Sequence, residues 1–468
     1  MIFKQEKMIN HKKGAIFIEI TIIDAPCGSG KTEYIIRKIN QDEDTPYLYI
    51  APLRSMFNRL DGMPPYEGRG AIRAFHTPTN RNLAGTKLQG LKQLIEVGCS
   101  IMSTHALFLS LDNEAVEMLK CRNYHLVVDE ALDAVTVLSK SEKGEDSTME
   151  DSEVADEVHK YITNDDISWL LKNNLICIDR MDCNKVVWIG ADGFEGANYR
   201  YKDVERIIKS GAVSYARDSF LIWTFPIAAL QAFSNITVLT YRFSESIMRG
   251  YLDFYGMTYR HMTIERDDDG YKMVPFYESV VNGSAYADLI NVCDSGKLNA
   301  VGVRMPRGKY PLSSSWYEAD RRSRGGKAKA IRNNITNYFR NYCNANRDNV
   351  GWTVFKRFKG SVQPTGYTRR SDKSESFIHC TCRATEDYKD RYNLAYLIDR
   401  HLHPGVVAFL GQRDIAVDND QYALSELIQW IFRSRIRNDR MPTEDRKINV
   451  YVPSERMRNL LLSWLICK

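Results

Sequence analysis

The chain has 468 residues, 44% hydrophobic and 26% charged, which is typical of a globular protein with two or three domains. No apolar run is long enough to cross a membrane, and no secretory signal follows the basic N-terminus, so no membrane association is expected. Ten scattered cysteines without a CxxC pair argue against disulfides or zinc and favour free thiols in a reducing cytoplasm. The net charge of +5 is small, but late basic clusters interleaved with aromatic residues indicate either nucleic-acid contact or ordinary solvated loops.

In chain order, the first half alternates β-branched apolar runs with segments of helical periodicity. Strands are predicted at 16–24, 47–52, 71–76, 99–104, 125–130 and 236–243, with helices between the first five. The last two of these strands are separated by an acidic stretch at 141–158 and by a mainly helical pattern at 165–230. The charged segment near 264–272 is expected to be a linker.

The second half repeats this alternation, with strands predicted at 298–304, 352–358, 376–384, 406–410 and 448–453. Strands that alternate with helices favour parallel sheets covered by helices on both faces. The sequence therefore predicts an α/β protein with two tandem domains, 1–264 and 265–468. The first is expected to carry a helical and acidic insertion at about 138–230.

A glycine-rich loop follows the first predicted strand and opens a helix. The segment consists of Ala25, Pro26, Cys27, Gly28, Ser29, Gly30, Lys31 and Thr32. Glycine inside a regular element costs roughly 0.5–1 kcal/mol relative to alanine, so its use here requires a compensating function. Backbone N–H groups of such a loop and the following helix N-terminus bind phosphates, Lys31 would reach the β- and γ-phosphates, and Thr32 would bind Mg²⁺. The loop therefore predicts an ATP site.

Two carboxylates end the strand predicted at 125–130. Asp129 and Glu130 follow a buried apolar run, so they should lie at the carboxyl edge of the sheet, beside the glycine loop if the strands are neighbours. There Asp129 would hold Mg²⁺ and Glu130 would act as general base toward the attacking water. A simple strand-end capping role is the alternative, and the presence of the glycine loop favours the catalytic one.

With these motifs the sequence resembles superfamily 2 helicases of the DEAD/DEAH-like kind, in which the loop has the form AxxGxGKT. The resemblance implies two tandem RecA-like P-loop domains that hold ATP and Mg²⁺ between them. Segments 51–56, 103–108 and 239–243 are similar to motif Ia, the TH-containing motif and motif III, although Thr240-Tyr241 departs from the Ser/Thr-Ala-Thr of motif III. Together with a match to motif V at 380–388, they imply contacts with a single strand by Pro52, Arg54, Thr104, His105, Thr240 and Thr385.

The segment 426–439 is similar to motif VI of the same family. The resemblance implies that Gln429, Arg433 and Arg437 face ATP from a helix of the second domain and that the arginines stabilise the developing phosphoryl charge. The three residues are four apart and so share a helix face, whereas Arg435 points elsewhere. The family has two residues between its arginines and this chain has three, and a basic surface helix is the alternative.

The sequence therefore predicts a cytoplasmic ATP hydrolase that moves along single-stranded DNA, as a helicase or translocase in the replication or recombination of a phage or other mobile element. Forked DNA and replication proteins are further expected partners, RNA stays an alternative to DNA, and a monomer is favoured. Two other activities would use the same loop. One is a motor that does not unwind, such as a translocase or packaging enzyme, and the other is a small-molecule kinase, which needs only one domain.

Overall fold

The computed structural model describes residues 18–60, 74–140, 162–191, 201–267, 270–305, 308–381, 387–437 and 442–467. The strands are β1 (Glu19–Asp24), β2 (Tyr47–Ala51), β3 (Ile101–Thr104), β4 (His125–Asp129), β5 (Val135–Val137), β6 (Ser139–Lys140), β7 (Ile162–Thr163), β8 (Ile176–Asp179), β9 (Lys185–Trp188), β10 (Val213–Ala216), β11 (Phe220–Thr224), β12 (Asn235–Thr240), β13 (Tyr259–Asp267), β14 (Gly270–Pro275), β15 (Ile290–Val292), β16 (Val350–Thr353), β17 (Asn393–Tyr396) and β18 (Ile448–Tyr451).

The helices are α1 (Lys31–Gln41), α2 (Phe57–Leu60), α3 (Lys87–Val97), α4 (His105–Leu109), α5 (Asn113–Arg122), α6 (Asn164–Lys172), α7 (Lys202–Lys209), α8 (Ile227–Leu230), α9 (Ile247–Phe254), α10 (Gly296–Asn299), α11 (Ser314–Ser323), α12 (Lys327–Asn337), α13 (Lys359–Val362), α14 (Pro404–Gly411), α15 (Asn419–Ile431) and α16 (Glu455–Ile466). Among the described residues, none of these helices is both long and apolar enough to span a bilayer.

A seven-stranded sheet forms the centre of the N-terminal half, in the order β14-β13-β1-β12-β4-β2-β3. Every neighbouring pair is parallel except β13 with β14. The strands β1, β2 and β4 are buried along nearly their whole length, as expected of parallel strands covered on both faces. The prediction of an α/β protein with parallel sheets is confirmed. Because the strands are parallel, the carboxyl ends of β1, β12, β4, β2 and β3 meet at one edge of the sheet, called here the carboxyl edge.

The C-terminal half contains a second sheet, which is entirely parallel and has the order β15-β18-β17-β16. The strands predicted near 352–358 and 448–453 are present as β16 and β18. Three others are wrong. The range 298–304 begins within α10 and its following turn, 406–410 lies within α14, and the described part of 376–384 forms only an isolated bridge at Phe377. The first turn of α14 has Pro404 at its start and the side chain of His403 as its cap, and these signals outweigh a short apolar run that fits either structure.

Among the described residues, the insertion in the first half contains a sheet as well as the helices α6, α7 and α8, so the expectation of a mainly helical insertion is wrong. Strands β5, β11, β10, β9 and β8 form a five-stranded antiparallel sheet in that order. The hairpin between β10 and β11 turns at Arg217 and Asp218, which have φ angles of 53° and 48°. Glycine or asparagine usually marks such a turn, and without either residue the turn gave no signal in the sequence. The acidic stretch 141–158 lies outside the described residues.

The linker expected near 264–272 is also wrong. Strands β13 and β14 pair there as an antiparallel hairpin, and β13 lies beside β1 in the N-terminal sheet. A run of charged residues did not distinguish a hairpin from a linker, since turns and linkers share the same polar composition. The N-terminal sheet therefore extends to Pro275, and the division of the chain into domains at residue 264 stays a prediction.

One helix of the C-terminal half completes the core of the N-terminal half. The buried side chains of Val406, Phe409 and Leu410 on α14 belong to the same hydrophobic cluster as the N-terminal sheet and its insertion. The ring of Phe409 stacks on Phe254 of α9 with 4.2 Å between centroids. The two halves of the chain are thus joined by shared apolar packing as well as by the backbone.

We expect Phe409→Ala to lower the free energy of unfolding by about 3–5 kcal/mol, because it removes a fully buried ring and leaves a cavity between the two halves. Urea denaturation followed by circular dichroism would measure the change. Val407→Ala, on the exposed side of the same helix, is the matched control and should change stability by no more than about 0.5 kcal/mol. Equal effects of the two substitutions would contradict the shared core.

Candidate active site

The glycine-rich loop joins β1 to α1 with the backbone geometry that a phosphate-binding loop needs. Gly28 and Gly30 have φ angles of 85° and 91°, in the left-handed region that favours glycine. The N–H of Ala25 donates to the carbonyl oxygen of Thr240 at 3.1 Å, which ties the start of the loop to the end of β12. Helix α1 begins at Lys31, so its N-terminal N–H groups and its partial positive charge face the loop.

The two glycines differ in what surrounds them. A Cβ atom on Gly30 would lie only 2.2 Å from Cζ of Tyr271, a residue of β14, so this ring occupies the space that a side chain would need. A Cβ atom on Gly28 would lie 3.6 Å from the carbonyl oxygen of Arg437, which is an ordinary contact. The loop is therefore in contact with the edge hairpin on one side and with the C-terminal half on another.

Lys31 folds back onto its own loop. Its Nζ donates to the carbonyl oxygens of Ala25 and Pro26, the latter at 2.8 Å. Burial lowers the pKa of Lys31 by disfavouring the ammonium ion, while the thiol of Cys27 and the carboxylates of Asp24, Asp129 and Glu130 act in the opposite direction. A lysine held in this way is close enough to the loop to pair with a phosphate that binds there.

The polar groups of the loop fit a nucleotide and Mg²⁺. The hydroxyl oxygen of Ser29 is buried and has no hydrogen-bond partner among the described residues, which is the kind of group that a bound phosphate can satisfy. Thr32 and Asp129 are both buried, and both bear oxygen atoms of the kind that Mg²⁺ prefers. Within the described part of the chain no three acidic, histidine or cysteine side chains form a metal site of their own. Mg²⁺ in enzymes that hydrolyse nucleoside triphosphates usually takes one or two protein ligands together with substrate phosphates and water, so a nucleotide site would not require a larger cluster.

The two carboxylates at the end of β4 are held in different ways. Asp129 accepts a hydrogen bond from the hydroxyl of Tyr49 at 2.7 Å, so β2 fixes its orientation. Glu130 has a φ of 69°, which is unusual for a residue other than glycine, and its N–H donates to the carbonyl oxygen of Leu239 at 2.8 Å. Strained backbone of this kind persists where surrounding contacts enforce it, and it is concentrated at functional sites.

An arginine from the C-terminal half contacts one of these carboxylates, that of Glu130. The guanidinium of Arg433 lies 3.3 Å and 3.5 Å from the two carboxylate oxygens of Glu130, and the arginine is only 2% exposed. The structure therefore brings Lys31, Asp129, Glu130 and Arg433 to one place, as the sequence predicted for these four residues. Their contact depends on the docking of the two halves.

The expectation that Gln429, Arg433 and Arg437 share one helix face is wrong. Helix α15 ends at Ile431, Arg433 lies in the turn beyond it, and Arg437 lies in a separate 3₁₀ turn. The hydroxyl of Ser434 donates to the carbonyl oxygen of Ile431 at 2.7 Å and so ends the helix with a local partner.

The positions of these side chains follow from the early end of α15. The side-chain amide of Gln429 donates to Ser425 on its own helix at 3.1 Å, so the structure pairs it within α15. Arg437 still lies next to the loop, because its carbonyl oxygen faces Gly28. The guanidinium of Arg435 lies 3.7 Å from the ring centre of Tyr392. Arg435 is therefore directed elsewhere, as expected, although not for the helical reason given by the spacing.

The residues expected to contact a nucleic-acid strand lie near the carboxyl edge, but most are buried or occupied. Thr240 ends β12 and is buried, and His105 is buried at the start of α4. The hydroxyl of Thr104 accepts from the N–H of Leu107 at 3.3 Å and so caps α4. Beyond β2, Pro52 is half-buried and Arg54 is exposed. Thr385 lies outside the described residues, and strand contact by any of these residues stays a prediction.

Two buried charged residues of the site were missed by the sequence analysis. Asp24, which ends β1, is fully buried and accepts hydrogen bonds from the N–H groups of Arg242 and Phe243, each at 2.7 Å. Arg242 has a φ of 59° and donates to the side-chain oxygen of Gln421 on α15 at 2.8 Å. A charged residue at the end of each of two apolar strands was the signal that could have identified them.

Comparison with known proteins gives two similarities. Residues 284–465 match the family model described as "YonV C-terminal Rossmann-like domain", and the C-terminal parallel sheet is therefore Rossmann-like. The chain is 29% identical over 457 residues to the SPbeta prophage-derived uncharacterized protein YonV of Bacillus subtilis, and this similarity covers 95% of the chain and 98% of that protein. The similarity thus covers most of both halves of the chain.

We expect Gly30→Ala to lower the melting temperature more than Gly28→Ala does. Both substitutions force a left-handed conformation on alanine, at about 1–2 kcal/mol, but only the first also displaces the ring of Tyr271. Differential scanning fluorimetry without nucleotide would measure both variants. The difference should shrink when Tyr271→Ala is combined with each substitution, and an unchanged difference would mean that the ring is not its cause.

Proposed function

We propose that this chain is an ATP hydrolase that couples hydrolysis to movement along a single nucleic-acid strand, as a helicase or translocase. The observation that carries the proposal is the 3.3 Å contact between Arg433 of the C-terminal half and Glu130 at the end of β4. It places an arginine from one half beside the carboxylate that would activate water in the other half. A site divided in this way is what two RecA-like domains with ATP between them require.

Each side chain of the site has a role that its position supports. The backbone N–H groups of the loop and the ammonium of Lys31 would bind the β- and γ-phosphates. Thr32 and Asp129 would hold Mg²⁺, which neutralises phosphate charge. Glu130 would orient and deprotonate the attacking water, and Arg433 would stabilise the negative charge that develops on the transferred phosphoryl group.

Coupling between ATP and the strand would use contacts that link the two halves. Asp24 holds the backbone of Arg242 immediately beside the glycine-rich loop, and Arg242 in turn contacts Gln421 of α15. Arg433 follows the same helix. A change at the phosphates can therefore reach the orientation of the C-terminal half through α15, which supports opening and closing driven by hydrolysis.

The contribution of the C-terminal half argues against a small-molecule kinase. A one-domain kinase needs no arginine from a second α/β unit, whereas Arg433 is buried where the two halves meet. A motor that moves without unwinding would have the same ATP site and stays an alternative to a helicase. The similarity to a prophage-derived protein supports the expectation that the chain comes from a phage or other mobile element. The role in DNA replication or recombination stays a prediction.

We expect Lys31→Ala to abolish ATP hydrolysis and Arg433→Ala to lower its rate by about 10³-fold or more, as for other arginines that act on a transferred phosphoryl group. Phosphate release by the purified full-length chain would measure both. Arg435→Ala is the matched control, because Arg435 lies two residues further on and stacks on Tyr392. If Arg433→Ala were as active as Arg435→Ala, the second half would not complete the site and the proposal would fail.

Single-stranded DNA is expected to stimulate ATP hydrolysis, and the stimulation should weaken as salt rises, because strand phosphates would be bound by cationic side chains. Arg54→Ala should reduce the salt dependence of strand binding, since Arg54 is exposed beside the carboxyl edge. Arg180→Ala, in the turn between β8 and β9, is the control for a general loss of positive charge. Hydrolysis that ignores DNA, RNA and duplex alike would refute the motor function.

A further inference from the structure

The order of the strands gives the direction in which a nucleotide would lie on the glycine-rich loop. On one side of β1 come β12 and then β4, which carries Asp129 and leads to Glu130. On the other side come β13 and β14. The γ-phosphate must lie toward the carboxylates and Arg433, where the proposed hydrolysis takes place. The opposite end of the substrate, the nucleoside, therefore points away from β4, toward the hairpin formed by β13 and β14.

An aromatic residue of this hairpin lies directly on the loop. Three carbon atoms at the hydroxyl end of the Tyr271 ring lie 2.2–2.7 Å from the position that a Cβ atom on Gly30 would occupy. The ring is half-buried, so part of it is accessible from outside. It is therefore an aromatic surface that touches the loop from the side opposite the carboxylates.

Packing fixes the position of this ring. Tyr271 and Met273 pack against the apolar cluster that contains Ile35, Ile36 and Ile39 of α1. The guanidinium nitrogens of Arg37 lie 2.3–2.5 Å from the position that a Cβ atom on Gly270 would occupy. The start of β14 is therefore also in contact with α1. The hairpin thus holds the ring in place beside the loop before any ligand binds.

We propose that Tyr271 binds the nucleoside end of the substrate, a nucleoside triphosphate, through contact of its ring with the base. This inference rests on the proposed function and extends it to the part of the substrate that the loop does not touch. Loop N–H groups and Lys31 recognise phosphates and cannot distinguish ATP from a triphosphate without a base. Every base has a π-face, and an aromatic side chain can stack on that face without hydrogen bonds to the edge of the base.

The competing explanation is that Tyr271 only supports Gly30 and the shape of the loop. The two explanations differ in which ligands they affect. Loss of a residue that only supports the loop would lower the affinity for ATP and for inorganic tripolyphosphate equally, since both would bind to the loop. Loss of a residue that binds the base would lower the affinity for ATP alone.

The test is equilibrium binding of ATP and of inorganic tripolyphosphate, each with Mg²⁺, to the full-length chain by calorimetry. Tyr271→Leu keeps apolar packing on the Ile35 cluster and removes the aromatic face, and Tyr271→Phe keeps the face. Stacking of one base on an aromatic side chain is worth roughly five- to a hundredfold in affinity. We expect Tyr271→Leu to lower the affinity for ATP by roughly fivefold or more and to leave the affinity for tripolyphosphate unchanged. Tyr271→Phe should bind both ligands about as tightly as the wild type does.

Two controls separate failure of this inference from failure of the proposed function. Tyr277→Leu alters an exposed tyrosine just beyond β14 and should change neither affinity. Lys31→Ala should lower the affinity for both ligands. If Tyr271→Leu lowered the affinity for both ligands equally, or for neither, the role of Tyr271 would be overturned. The proposed function would still stand in that case, provided that ATP binding depended on Lys31. A wild-type chain that binds neither ligand would overturn both.

Discussion

The parallel pairing of β1, β12, β4, β2 and β3 is the constraint on which the rest of the site depends. Parallel strands leave a sheet at the same edge, so their polar terminal residues must lie together. For this reason a loop near residue 28 and a carboxylate at residue 129 become neighbours, with β12 between their strands. The covering helices bury both faces of these strands and leave the carboxyl edge as the place for polar groups.

Buried polar contacts then convert this edge into a defined site. Asp24 accepts two backbone hydrogen bonds from the segment after β12, and Asp129 accepts one from Tyr49 of β2. An unpaired carboxylate in such surroundings would be costly, so each contact restricts the loop that bears it. Arg242 keeps its positive φ angle with its N–H bonded to Asp24, and Glu130 keeps its own with its N–H bonded to the carbonyl oxygen of Leu239.

The C-terminal half contributes in two physically different ways. Helix α14 is packed into the N-terminal core by Val406, Phe409 and Leu410, which is a contact made by apolar burial. Arg433 and the Arg242–Gln421 contact are polar and lie close to the glycine-rich loop. If the proposed nucleotide binds, apolar packing at α14 can keep the halves together while the polar contacts rearrange, because a close-packed apolar core resists deformation.

The sequence was sufficient to predict the glycine-rich loop, the carboxylates at 129–130 and the parallel first sheet. These features depend on local signals, namely glycine residues before a helix start and an apolar run. The prediction failed where the outcome depends on packing between distant segments. The antiparallel insertion, the hairpin of β13 and β14 and the end of α15 before Arg433 have no decisive local signal. Besides its local contacts, each is also held by a distant segment: β11 pairs with β5, β13 pairs with β1, and the N–H of Arg435 donates to the carbonyl oxygen of Arg391. Only the tertiary structure placed Arg433 on Glu130, Tyr271 on Gly30 and Phe409 in the first core, since such contacts exist only once separate elements have docked.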